Sequence, residues 1–329
     1  MTGGCTHQAR PVADRSSLRL VAVGASAGGV EALSRFVAHL PGDLPAAVLV
    51  VLHVLPDGHS VLPTILDRAG PLPATTAEDG KPVRAGQVIV ALPDCHLVVE
   101  NGIAHNVRGP RENGHRPAVD PLLRSVAVEA GPDAIAVVLS GTRDDGAAGA
   151  RTVKTAGGLV FVQDPTDALY RSMPASVLRA VDVDGQGSAA EVAALVAAAL
   201  GASRVPGEVA PAVAPGHDVE DTDASGLTCP DCGGAIWVDG EAGAPSFNCH
   251  TGHRYSDQSM VAGQRSATEA ALWVAVRHLE ERAGLMRRMA TSIGARGPVG
   301  AQRFAAAAAE SEQHAKVIRE LVVGGEAMP

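Results

Sequence analysis

The sequence predicts an α/β protein built on a doubly wound, mostly parallel, Rossmann-like sheet, followed by a zinc ribbon and a helical hairpin. Three observations carry that expectation. Apolar runs of strand length, at residues 18–23, 46–54, 134–139 and 159–163, alternate with segments of helical length, the rhythm of right-handed βαβ units. Hydrophobic residues make up 46% of the chain but aromatic ones only 2%, so Ala, Val and Leu must fill the core, as suits strands covered on both faces by Ala-rich helices. Beyond residue 226 the rhythm stops and gives way to clustered cysteines and two long amphipathic stretches.

Taken in order, residues 1–17 read as a disordered tail. A first strand at 18–23 enters the turn Gly24-Ala-Ser-Ala-Gly-Gly29 and a helix at 30–40. The run 46–54 is apolar except for His53 near its end, the mark of a strand buried on both faces. A helix is expected at 59–68, short strands at 88–91 and 96–100, and a helix at 117–130 with Asp120 near its start. The strand 134–139 runs into Ser140-Gly-Thr-Arg-Asp-Asp-Gly146, and a helix at 147–156 and the strand 159–163 follow. In such sheets the loops at the strands' carboxyl ends meet in one crevice.

That crevice receives Ser26, His53, and Asp144 or Asp145. Gly24-Ala-Ser-Ala-Gly28 fits the G-x-S-x-G pattern, which seats a serine on a sharp strand-to-helix turn. The unpaired N–H groups of the following helix suit a developing oxyanion. Phosphate cradling is the other common use of a glycine-rich turn. It fits less well, because Ser26 stands where a dinucleotide fingerprint has its middle glycine and no acidic residue closes a second strand about 20 residues on. A serine, an imidazole to take its proton and a carboxylate to orient the imidazole form the set that activates a hydroxyl. His39, His59, His96, His105 and His115 are read as capped or solvated.

The formal charge of −9 argues against nucleic-acid binding. The longest apolar runs fall short of a membrane span and the first 17 residues have no signal-peptide core, so a cytoplasmic protein without membrane insertion is expected. Three of the five cysteines fall in one segment, which fits a metal site better than a disulfide framework. Cys5 and Cys95 are read as bystanders.

Five motifs in order, Gly24-Ala-Ser-Ala-Gly-Gly29, Leu52-His53, His115-Arg-Pro-Ala-Val-Asp120, Gly141-Thr-Arg-Asp-Asp-Gly-Ala-Ala-Gly149 and Ser172-Met-Pro174, resemble the catalytic domain of the bacterial chemotaxis protein-glutamate methylesterases, the CheB family. The resemblance spans about residues 18–200. It implies Ser26 as nucleophile, His53 as general base, Asp145 as the acid that holds it, and the Thr142 backbone N–H in the oxyanion hole. It also implies removal of methyl esters from receptor glutamates, with deamidation of certain glutamines. Two departures stand out. A receiver domain usually precedes this domain, whereas about 17 residues precede the first strand here, so control by phosphorylation in cis is not expected. Arg143 and Asp144 replace the family's usual glycine and asparagine ahead of the acid.

Residues 201–226, rich in Pro, Ala, Val, Gly and acidic side chains, read as a linker. In 227–256, Cys229-Pro-Asp-Cys232 and Cys249-His-Thr-Gly-His253 supply the ligands of a structural, non-catalytic zinc ion: Cys229, Cys232, Cys249 and His253, with His250 the competing fourth ligand. Over 257–323, Leu272, Val276, Leu279, Ala283 and Met286 recur at helical spacing, as do Phe304, Ala308, Ser311, Ala315, Ile318 and Val322. They predict an antiparallel hairpin broken at 294–298, with a stabilising or dimerising role. The ribbon and hairpin are expected to stand apart from the ester chemistry. The leading expectation is a serine esterase acting on methylated glutamates of a receptor or other sensory protein. Two alternatives are a non-catalytic signalling scaffold and a small-molecule serine esterase or amidase.

Overall fold

The computed structural model describes residues 18–56, 60–202, 224–239 and 245–324. The expected tail, His59, Cys5 and most of the expected linker lie outside the described residues. The first strand, β1 (Arg19–Ala25), leads to α1 (Gly29–Ala38), β2 (Ala46–Leu52), α2 (Leu62–Ala69) and β3 (Ala74–Thr76). Next come β4 (Lys81–Pro82), β5 (Val88–Val90), β6 (His96–Glu100), β7 (Ile103–Val107), α3 (Val119–Ala130), β8 (Ala134–Val138) and α4 (Ala147–Thr155). The domain ends with β9 (Leu159–Gln163), α5 (Ser172–Ala180), β10 (Gly185–Gly187) and α6 (Ala189–Gly201).

Seven strands form one sheet in the order β10-β9-β8-β1-β2-β5-β3, and every pairing in it is parallel. The run Ala-Ala-Val-Leu-Val-Val-Leu of β2 is buried throughout because its alternate side chains enter two separate cores. Val48, Val50 and Leu52 pack with Leu33 and Phe36 of α1 and Val192 and Val196 of α6. Ala47, Leu49 and Val51 pack on the other face with Val119, Leu122 and Val126 of α3 and with Val153 of α4. Strand order reverses at β1, whose neighbours are β2 on one side and β8 on the other. The loops leaving β1, β2 and β8 therefore meet at the sheet's carboxyl edge. A separate three-stranded antiparallel sheet, β4-β7-β6, was not expected from the sequence, nor were β3, β10, α5 and α6.

Further on, β11 (Ile236–Asp239), β12 (Ser246–Cys249) and β13 (Arg254–Tyr255) form a small antiparallel sheet. Two helices, α7 (Asp257–Ile293) and α8 (Pro298–Gly324), occupy the segment 257–323 in which the hairpin is expected, and the chain from Met260, together with Thr228–Gly233, forms a second compact unit. Glu280 pairs with Arg319 and Arg287 with Glu312, a descending register that makes the pair antiparallel. Val276, Ala283, Ala308, Ser311 and Ala315 form its buried seam. No helix among the described residues is long and apolar enough to cross a membrane.

Candidate active site

Strand register brings the first two side chains together. Ala25 of β1 lies opposite Leu52 of β2, so the next residues, Ser26 and His53, leave the sheet side by side, and the His53 N–H donates to the Ala25 carbonyl at 3.2 Å. Gly28 caps α1 with φ +69°, a left-handed conformation that a side chain would strain. The turn is pinned from β8 as well: the Ser26 N–H donates to the Ser140 carbonyl at 2.9 Å, and Ser140 Oγ to the Ala27 carbonyl at 2.8 Å.

His53 Nδ1 lies 3.1 Å from Ser26 Oγ, and His53 Nε2 lies 2.7 Å from Asp145 Oδ2. The His53 and Asp145 side chains are 6% and 1% exposed, so little water competes for either bond. Asp145 comes from the loop after β8. Besides His53 it accepts from the Val119 N–H (2.7 Å) on Oδ2, and from the Asp120 N–H (3.1 Å) and Asn113 Nδ2 (3.0 Å) on Oδ1. Two of these donors are the first N–H groups of α3, where a helix favours an anion. Burial works to raise the Asp145 pKa, but the His53 bond and charge, with the Val119 N–H, outweigh it and hold the carboxyl well below the usual carboxylate range.

The 141–145 loop lies against the nucleophile. A Cβ at Gly141 would come within 3.0 Å of Ser26 Cβ and 2.4 Å of Met173 Sδ, so only glycine fits there. The Gly141 N–H donates to the Tyr170 carbonyl and its carbonyl accepts from the Met173 N–H, both at 2.9 Å. That pinning places exposed Thr142 directly beyond the Ser26 contact. Arg143 is left-handed at φ 65°.

Two neighbours were misread or missed in the sequence. His115, expected to be capped or solvated, stacks on His53 with ring centroids 3.8 Å apart and planes 13° from parallel. Burial first, then the His53 charge, pushes its pKa down to about 4, so His115 stays neutral beside a ring that must accept a proton. Asn113, not singled out before, joins Asp145 to Asp120, donating from Nδ2 at 3.0 Å to each. The signal was present: Asn113-Gly114 has positive φ at both residues, 53° and 78°, between the hydrogen-bonded Glu112 and His115. Asn-Gly is the commonest two-residue hairpin turn. Asp120 anchors the same corner, accepting from the Gly146 and Gly149 N–H groups at 3.0 and 2.7 Å. Burial, and then the charge of Asp145, raises its pKa. His96 is structural, 4% exposed, bonded to the Pro110 carbonyl and the Ala118 N–H.

At the ribbon, the ligand atoms of Cys229, Cys232, Cys249 and His253 lie within 4.8 Å of one another, a cluster that can hold a metal ion. Cys249 Sγ and His253 Nδ1 are 3.4 Å apart, close to the ligand–ligand edge of about 3.5 Å that zinc bond lengths imply. His250 instead meets Trp237 edge-on at 6.5 Å. The end of the ribbon does not stand apart from the sheet domain: the Asn113 N–H donates to the Arg254 carbonyl at 2.8 Å, and Ser256 Oγ donates to Asp144 Oδ1 at 2.7 Å.

A family profile described as CheB methylesterase matches residues 21–196. A protein-glutamate methylesterase/protein-glutamine glutaminase of Methanosarcina mazei is 37% identical over 175 residues, 50% of this chain and 48% of the relative. Another of that name, from Myxococcus xanthus, is 40% identical over 162 residues, 49% of this chain and 46% of the relative. The chain thus spans about half the length of the curated relatives it matches. The crystal structure of the Thermotoga maritima CheB methylesterase catalytic domain superposes with TM-score 0.53 at 33% identity, over 56% of this chain and 99% of that one. With the profile covering more than half of its length, the chain belongs to the CheB methylesterase family.

Proposed function

We propose that this protein is a serine esterase that hydrolyses methyl esters of glutamate side chains on a receptor or other sensory protein and releases methanol. The observation that carries this reading is the unbroken chain from Ser26 Oγ through the His53 ring to Asp145, at 3.1 and 2.7 Å, on the ends of neighbouring strands. His53 carries its proton on Nε2, toward Asp145, which leaves Nδ1 to take the Ser26 proton as Oγ attacks the ester carbonyl. The oxyanion forms beside the Thr142 N–H and the start of α1. The imidazolium returns its proton to the departing methoxide. Water then attacks the acyl-serine by the same route and frees the glutamate. Glutamine deamidation needs only ammonia in place of methanol. Neutral His115 stacked on His53 keeps a second positive charge away during each transfer.

Cys229, Cys232, Cys249 and His253 would hold one structural zinc ion, which supplies folding energy to a segment too small to build its own core. Three thiolates and an imidazole suit zinc, and persist in a reducing compartment such as the cytoplasm. Metal analysis should find one zinc per chain, lost in Cys229→Ser.

The direct test is methanol release from a peptide carrying methylated glutamate. Ser26→Ala should lower turnover by about 10³-fold or more without changing the melting transition. Undiminished release by that variant would end the assignment.

A further inference from the structure

The carboxamide of Asn113 faces two ways. Nδ2 donates to Asp145 Oδ1 and Asp120 Oδ2, both at 3.0 Å; Oδ1 accepts from the Ser256 N–H at 3.0 Å and from Ser259 Oγ at 2.8 Å. Two donors and two lone pairs are a primary amide's full capacity, and at 5% exposure water has no access to any of them. Turning the amide over would set its oxygen against two carboxylates and its NH₂ against a backbone N–H that can only donate. The two carboxylates on one side and the Ser256 N–H on the other therefore fix which end of the amide meets Asp145.

Those serines are themselves fixed by the start of α7. Ser256 Oγ accepts from the Ser259 N–H at 3.1 Å, and the Ser256 N–H reaches Ser259 Oγ at 2.8 Å, a reciprocal cap with serine in the place usually held by Glu or Gln. Ser256 Oγ also donates to Asp144, next to the acid, whose carboxyl burial pushes up while this bond opposes the rise. A backbone bridge between Glu112 and Arg254 completes the seam. Asp144, beside the acid, is thus the residue that receives Ser256.

We propose that Asn113 is a positioning residue for the catalytic acid, and that residues 254–259, where the ribbon ends and α7 begins, help to set its orientation. Residues 254–259 are then part of the support of Asp145. This rests on the catalytic reading of Ser26, His53 and Asp145. An amide hydrogen bond spreads the carboxylate's charge. Losing it concentrates that charge on His53, raises the proton affinity of the ring and loosens its orientation.

The test uses full-length protein and p-nitrophenyl acetate, which needs no docking partner. Asn113→Ala should lower kcat about 10-fold with KM little changed, and should move the acid limb of the kcat profile to higher pH. Ser259→Ala, a milder change that also covers the case in which Asn113→Ala fails to fold, should shift the limb the same way, and Ser259→Thr, which keeps the hydroxyl, should restore it. Folded Ser259→Ala protein with wild-type kcat and pH profile, alongside an inactive Ser26→Ala control, would overturn the inference and leave the esterase reading standing. Full activity in Ser26→Ala would overturn both.

Discussion

The seven-stranded sheet and the C-terminal helix pair are specified by opposite means. In the sheet, β2 is buried along its whole length between two cores of large aliphatic side chains, so shape and volume fix the arrangement. In the helix pair the buried seam consists largely of small residues, Ala283, Ala308, Ser311 and Ala315, while Leu285, Leu321 and Val323 remain more than half exposed. Its register is marked by the ion pairs Glu280–Arg319 and Arg287–Glu312, at exposed positions where such pairs contribute little. A catalytic group held to within a fraction of an ångström belongs on the first kind of support, and the candidate triad sits there.

The two supports differ most in what a buried side chain contributes. Leu49, fully buried under α3, should cost about 2–5 kcal/mol when changed to Ala, read as a fall in the urea midpoint at unchanged slope. A loss below about 1 kcal/mol would mean that packing does not specify the sheet.

Acid should weaken the sheet domain through His115. His115 in the fold has its pKa lowered to about 4, against an unfolded value near 6.5. The unfolded chain therefore binds the proton first, and stability that is intact above pH 6.5 is lost as pH falls toward 4, by about 3 kcal/mol at most. Urea titrations across that window should show the loss in the wild type and a flatter profile in His115→Asn.

The smallest effect belongs to the helix surface. Leu285→Ala, at a side chain 54% exposed, should change stability by no more than about 0.5 kcal/mol in the same unfolding assay. A loss near that of Leu49→Ala would place a buried contact on a face that is open in this chain.

The sequence by itself determined the central strands of the sheet and the places where chemistry leaves them. Continuous apolar runs admit only strands covered on both faces, and the polar residue ending each run must emerge at the sheet's edge, which singles out Ser26 and His53. The helix pair was equally legible, since Val276 and Ala283, and Ala308 and Ala315, repeat at helical spacing. A signal for α6 was also present in Ser188-Ala-Ala-Glu191, which forms a capping box.

What only the tertiary structure supplied is the partner that each of two near neighbours meets and every bond across long separations. Asp144 and Asp145 are adjacent and alike in composition, yet one meets Ser256 and the other His53. His253 and His250 diverge in the same way, one toward Cys249 and the other toward Trp237. Asn113 and Ser256 are 143 residues apart. Hydrophobic burial repeats with the period of a strand or helix and so writes itself along the chain, whereas a hydrogen bond is a directional match between two groups, with no period to reveal either partner before the fold brings them together.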